Sequence, residues 1–158
     1  MNKALFSFIF IVTTFYLNAD TITKTTLSLD AANKMGDACL SLAEKNGWKM
    51  NIAIYGSSRS LKYYASMDGS YPASEEIAKL KGKTSAGLPF STKDLSDRAF
   101  RGEKLGAGLT TIPETILIQG GMPIILNNGD HIGGVGVSGD SGENDEICAK
   151  EAINSIIK

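Results

Sequence analysis

The chain contains a single histidine, His131, and any chemistry that needs an imidazole depends on it. A neutral imidazole can bind a metal ion, and an imidazole can also transfer a proton near neutral pH. His131 begins an apolar, glycine-rich stretch, 131–138, that is typical of a buried strand. Alternation along that strand predicts that the histidine shares a face with Gly133, Val135 and Val137. The alternatives are a metal ligand and a hydrogen-bonded histidine at a strand start.

The glycines of this strand also match a nucleotide-binding pattern. Residues 134–139 read GVGVSG, which fits the dinucleotide fingerprint GxGxxG. The pattern is followed by the acids Asp140, Glu143, Asp145 and Glu146, which offset the dipole of the next helix and would repel a pyrophosphate. We therefore expect no nucleotide site, and we expect the glycines to permit close approach of the backbone to a neighbour.

Other catalytic patterns are weak. Several carboxylates lie near helix starts, and paired acids serve as general acid and base only where burial separates their pKa values. Helix-terminal acids are normally exposed, so we predict a structural role for them; they are Asp68, Glu75, Glu76, Glu143, Asp145 and Glu146. A nucleophile elbow of the Gly-x-Ser-x-Gly type is not placed with suitable partners.

Net charge and cysteine spacing argue against nucleic-acid-binding, membrane-binding and zinc-binding proteins. The net charge is −1, from 16 basic and 17 acidic residues without a basic run, which argues against nucleic acid and anionic membranes as partners. Cys39 and Cys148 have no metal-ligand neighbour at CxxC spacing, which argues against zinc.

The N-terminus predicts export. A positive start at residues 1–3 is followed by an apolar run and a small residue, Ala19, which is the pattern of a secretory signal peptide at 1–19. Residues 20–158 then form one domain, periplasmic or secreted, with no membrane contact after cleavage. An oxidising compartment would permit a disulfide between the two cysteines, and two buried free thiols are the alternative.

Periodicity and turn residues predict an α+β domain. Apolar spacing of three and four indicates helices, alternation indicates strands, and hairpins imply an antiparallel sheet. On the second helix we expect Ile77, Leu80 and Thr84 to face inward, and on the last helix Ile147, Cys148, Ala152 and Ile156. The predicted elements are helices from about 31 to 46, 72 to 86 and 142 to 157, strands at 50–55, 61–67, 115–118, 123–126 and 131–138, and a long loop at 87–113. That loop is expected to be a lid or an oligomer arm, with one helical turn near 94–101.

Four segments together resemble one family, the GlcG/HbpS-like haem-binding (haem-degrading) domain, which is also found at the C-terminus of PduO-type corrinoid proteins. They are LSLDAANKMGDACLSLAEKNGWKMNIAI, MDG at 67–69, ASEEIAKLKGKTSA at 73–86 and GMPIILNNGDHIGGVGVSGDSGENDEICAKEAI at 121–153. The resemblance implies a profilin-like fold, namely a five-stranded antiparallel sheet with helices on both faces. It also implies homo-oligomers and, in some members, haem binding or haem breakdown.

The resemblance makes several residues candidate haem contacts. His131 is the candidate iron ligand, Met67 and Asp68 form a turn beside the pocket, Lys83 and Thr84 would contact a propionate, and Gly134 and Gly136 would form one wall. If the first and last helices pack on the same side of the sheet, as the resemblance suggests, a Cys39–Cys148 bridge could join them. There are departures from the family pattern: Gly82 stands where alanine is common, Ser66 where arginine is common, and Gly56 to Arg59 where an Asp-Ala-Gly-Gly-like turn is usual.

The leading hypothesis is therefore an exported, oligomeric binding protein for haem or a similar cofactor. A different class remains open, an oligomeric scaffold or accessory protein without a cofactor. That hypothesis predicts a glycine strand covered by a helix and no pocket beside His131. A weaker alternative is an enzyme that acts on haem or on a small organic acid.

Overall fold

Helices and strands follow one another in the predicted order over most of the chain. The computed structural model describes residues 22–100 and 106–157, so the predicted signal peptide at 1–19 lies outside the described residues. The elements are α1 (Leu29–Asn46), β1 (Asn51–Gly56), β2 (Leu61–Ser66), α2 (Ala73–Gly87), α3 (Thr92–Phe100), a 3₁₀ helix (Ala107–Thr111), β3 (Gly121–Ile125), β4 (His131–Ser138) and α4 (Gly142–Asn154).

Local capping residues set the ends of the first and last helices. The Ser28 hydroxyl accepts a hydrogen bond from the Ala31 amide at 3.1 Å, and Ser141 does the same for the Asn144 amide at 3.2 Å. Gly47 ends α1 with φ 73°, a left-handed conformation that glycine adopts without steric cost. These signals are visible in the sequence because they depend on neighbouring residues only.

The sheet has four antiparallel strands in the order β2-β1-β4-β3. Strand β4 is central and pairs with β1 from Asn51↔Ser138 to Gly56↔Gly133. The strand predicted at 115–118 is wrong, because that segment has no regular secondary structure and lies outside the sheet. Its Ile116 amide donates to the Thr84 hydroxyl at 2.9 Å, so the segment runs along helix α2. This difference reduces the expected five strands to four among the described residues.

The main hydrophobic core lies between the sheet and helices α1 and α4. Met50, which precedes β1, and Ile52 and Ile54 within it point to this face, as alternation predicted, and they are fully buried. The Cys39 and Cys148 sulfurs are bonded, with 4.9 Å between the Cα atoms, so the first and last helices pack on the same side. The inward prediction for Ile147 is wrong, since that side chain is 43% exposed.

Helix α2 covers the opposite face of the sheet, so helices lie on both faces. The buried stripe of α2 consists of small or polar residues instead of the predicted Ile77 and Leu80, which are only half-buried. The stripe residues are Ser74, Ala78, Lys81, Gly82, Thr84, Ser85 and Ala86. Short side chains let this helix approach the sheet closely.

The predicted long loop contains more regular structure than expected. Helix α3 has nine residues, and the 3₁₀ helix follows it. The Thr92 hydroxyl, in the first turn of α3, donates to the Ile118 carbonyl at 2.6 Å and accepts from the Gly121 amide at 2.9 Å. These bonds tie the start of α3 to the segment that enters β3, and a lid or arm role stays a prediction. Across the described ranges, no helix combines the length and the apolar character needed to cross a membrane.

Candidate functional site

A β-bulge decides which way His131 points. Ile124 pairs with Gly133 and Ile125 pairs with His131, so Ile132 is an extra residue in β4. Ile132 joins the core on the α1/α4 side together with Val135. The one-residue shift moves His131 to the α2 side, and the face predicted from simple alternation is therefore wrong.

The His131 ring is half-buried and held by the end of α2. Its Nε2 lies 2.9 Å from the carbonyl oxygen of Ser85. A carbonyl oxygen can only accept, so Nε2 carries the proton in the neutral ring and Nδ1 carries the lone pair. Metal-binding histidines usually show this arrangement, in which one ring nitrogen donates to a backbone carbonyl and the other binds the metal.

A shallow cavity of about 300 Å³ lies beside the ring. Polar or small residues line it: Thr23, Lys24, Thr25, Gly129, Asp130 and His131. Its volume is at the lower end for small-molecule sites, and its lining lacks the apolar side chains that usually enclose a large planar ligand.

Gly134 and Gly136 do not line this cavity. A Cβ atom on Gly134 would lie 2.3 Å from the Ala86 nitrogen, and one on Gly136 would lie 2.0 Å from the Ala78 oxygen. Both glycines are therefore in backbone contact with α2. Their predicted role as a cofactor wall is wrong, because the protein's own helix fills that space.

Met67 and Asp68 lie at the opposite end of the sheet from His131. The Met67 amide donates to the Met50 carbonyl at 2.9 Å, beside the Asn51↔Ser138 pair. Seven residue steps along β4 separate that pair from His131, which is about 23 Å. Met67 is half-buried against the core and Asp68 is exposed, so the structure does not bring them together with the histidine.

Lys83 and Thr84 lie near the His131 end but have different surroundings. Lys83 is half-buried and forms an ion pair with Glu114, which lowers the pKa of that carboxyl through the hydrogen bond from Lys83. Thr84 is buried and its hydroxyl donates to the Leu80 carbonyl at 2.7 Å, so it anchors backbone. Lys83 thus lies near the surface in an ion pair, whereas Thr84 has a structural environment.

A buried ion pair was missed by sequence reasoning. Lys81 Nζ donates to Asp145 at 2.7 Å and to the Val137 carbonyl at 2.8 Å, and both side chains are at most 3% exposed. Burial lowers the pKa of Lys81 and raises the pKa of Asp145, while the charge of each partner opposes the shift of the other. The prediction that Asp145 is exposed is wrong. The available signal was the position of Lys81 within the small-residue stripe of α2.

Residues 27–154 match the family described as haem-degrading protein HbpS-like. The chain belongs to this family. Protein GlcG of Escherichia coli K12 is 31% identical over 116 residues, which is 73% of this chain and 84% of the relative. The resemblance seen in the sequence is therefore confirmed.

Two solved structures share the fold of this chain. A double mutant of HbpS from Streptomyces reticuli is 26% identical with a TM-score of 0.82, covering 93% of this chain and 98% of that one. A structure described as a PduOC:heme complex is 26% identical with a TM-score of 0.75, covering 84% of this chain and 96% of that one.

The residues near His131 fit haem in one respect only. The imidazole has a free lone pair on Nδ1 and a fixed Nε2–H, which suits an axial ligand of haem iron. The HbpS-like chain does not by itself enclose a macrocycle there, because the adjoining cavity is small and polar. If haem binds at this position, His131 would hold the iron. The face of the haem that points away from His131 would then need cover from outside the single chain.

Proposed function

We propose that this HbpS-like protein is exported to the periplasm or beyond, forms homo-oligomers and binds haem, with His131 Nδ1 as an iron ligand. Family membership and the haem-bound relative support haem as the ligand. The Cys39–Cys148 bond supports an oxidising compartment.

The observation that carries the proposal is the His131–Ser85 hydrogen bond of 2.9 Å. It fixes the orientation of the ring and, in the neutral ring, leaves the lone pair on Nδ1. The hydrogen bond exists because the bulge in β4 turns His131 toward α2, and it does not depend on Gly134 or Gly136.

An oligomer would supply the missing cover. Ile125, the partner of His131 in β3, is 38% exposed, and Leu61 at the same end of the sheet is 49% exposed. A second copy packed on these apolar side chains would exclude water from a haem bound at His131. The single chain then contributes the iron ligand, and the assembly contributes the enclosure.

Titration with haemin tests the proposal. We expect wild-type protein to shift the Soret band, His131→Ala to lose that shift, and Met67→Ala to keep it, because Met67 lies at the far end of the sheet. Native mass spectrometry of the same samples reports subunit number. An unchanged Soret band in the wild type would refute the haem assignment. An equal loss of the Soret shift in both variants would refute His131 as the ligand.

The close packing of α2 on Gly134 and Gly136 favours a second candidate function, an oligomeric accessory protein without a cofactor. This alternative predicts native oligomers with the mass of the polypeptide alone. Haem breakdown is a further possibility that the family description raises. Product formation from haemin with a reductant would separate breakdown from binding.

A further inference from the structure

A three-residue charge cluster lies at the C-terminal end of α2, and we call it the Glu114 cluster: Arg59, Lys83 and Glu114. Lys83 Nζ pairs with one carboxylate oxygen of Glu114, and Arg59 Nη2 lies 4.0 Å from the other. Arg59 Nη2 also donates to the Glu114 carbonyl oxygen at 2.9 Å. Two cations thus converge on one carboxylate.

The backbone at two members of the cluster is strained. Arg59 has φ 59° and Glu114 has φ 54°, and within residues 22–100 and 106–157 these are the non-glycine residues with positive φ. Non-glycine residues avoid this region, and such strain concentrates at functional sites. Here the two strained residues contact each other, because the turn after β1 and the turn after the 3₁₀ helix meet at this point.

The exposed fractions of the three side chains show that the Glu114 carboxylate is closer to solvent than the two cations are. The Glu114 side chain is 55% exposed, whereas those of Arg59 and Lys83 are 31% and 27% exposed. Arg59 Nε is buried and has no hydrogen-bond partner among the described residues. With two positive charges and one negative charge, the cluster retains a charge of +1 and one unused donor.

We infer that Arg59 and Lys83 form a binding subsite for a ligand carboxylate, and that Glu114 occupies this subsite until the ligand arrives. A planar guanidinium and an ammonium group together supply the hydrogen-bond donors and the positive charge that bind a carboxylate. Rotation of the Glu114 side chain is sufficient to open the subsite. The Glu114 carbonyl remains in place and continues to hold Arg59, and the Thr84–Ile116 hydrogen bond anchors the following backbone.

The subsite lies close to His131 on the same helix end. Three residues of α2 show this: Lys83, Ser85, which contacts His131, and Gly87, which lies beside Arg59. The first and the last are four residue steps apart, about 6 Å along the helix axis. A ligand that binds iron at the histidine and carries a carboxylate on a short arm could reach both. That the ligand is haem, with a propionate in the subsite, rests on the proposed function; the carboxylate subsite itself does not.

Removing the competing charge tests the inference. Glu114→Gln keeps the side-chain length and the carbonyl, and we expect it to bind haemin roughly three- to fivefold more tightly than wild type, since one exposed ion pair no longer competes. Haemin dimethyl ester, which lacks carboxylates, should bind both proteins equally. Glu151→Gln, which removes the same charge from an exposed position on α4, is the matched control. Adding Arg59→Gln and Lys83→Gln to Glu114→Gln should abolish the gain.

Succinate separates this inference from haem binding. In Glu114→Gln, succinate should move the Arg59 Nε–H signal in NMR spectra at concentrations that leave wild type unchanged. If haemin fails to bind and succinate still behaves this way, the subsite stands and the ligand assignment falls. If Glu114→Gln binds haemin and succinate no better than Glu151→Gln does, the subsite is refuted, whatever haemin does with the wild type.

Discussion

The two faces of the sheet are held by different means. On the α1/α4 face, β1 and β4 bury branched aliphatic side chains, and one disulfide crosslinks the two helices. On the α2 face, the buried apolar residues are three alanines and Tyr55, and the helix backbone lies directly against Gly134 and Gly136. One face depends on apolar side-chain volume, and the other depends on its absence.

This difference explains why the candidate site lies on the α2 face. Large side chains can adjust their rotamers when a helix moves, but backbone packed on backbone allows little adjustment. Helix α2 is therefore fixed relative to β4, and an ion pair from Lys81 to Asp145 fixes it further. Ser85, which orients His131, and Lys83, which pairs with Glu114, take their positions from this helix.

The largest expected effect is on the α1/α4 face, where the disulfide closes a loop of 109 residues. Reduction should lower the free energy of unfolding by about 4–5 kcal/mol, because a long loop gives the unfolded chain much more freedom when it opens. Denaturant unfolding with and without reductant measures this. The double variant Cys39→Ala/Cys148→Ala should not respond to reductant, and equal stability of oxidised and reduced wild type would refute the contribution.

The next effect is on the α2 face, at the buried ion pair. Lys81→Met should cost about 4 kcal/mol, because it leaves the Asp145 carboxyl buried without its partner. The double variant Lys81→Met/Asp145→Leu should recover part of the loss. Lys150→Met, which breaks an exposed ion pair with Glu146, is the control and should cost only about 0.3–0.5 kcal/mol. A similar cost for the two lysines would show that the buried pair has no special role.

A smaller effect, about 3 kcal/mol, is expected for Gly136→Ala. The added methyl group would lie 2.0 Å from the Ala78 carbonyl, and α2 would have to move away from the sheet. Gly108→Ala, where a Cβ meets nothing within 4 Å, is the control and should change the free energy of unfolding by less than about 0.5 kcal/mol. If Gly136→Ala is as stable as wild type, then α2 tolerates displacement, and the α2 face does not depend on close backbone packing.

Sequence patterns predicted most elements but misjudged several faces. Caps at Ser28, Gly47 and Ser141 depend on adjacent residues, so the ends they mark were readable. The strand at 115–118 was predicted from a local pattern, which cannot tell whether a neighbouring strand has room for it. The inner face of α2 was assigned to Ile77 and Leu80 because large apolar residues usually face inward, although the Ser74–Ala78–Gly82 spacing indicated a close-packed stripe.

The amino-acid sequence by itself determined the lone imidazole and the α+β class, since composition and local spacing carry that information, and the resemblance of four segments indicated the family. The tertiary structure alone decided that Ile132 bulges and turns His131 toward Ser85, that Lys81 meets Asp145 across 64 residues, and that Arg59 and Lys83 share Glu114. Each of these depends on which backbone lies opposite, and a contact between distant segments leaves no periodic mark along the chain.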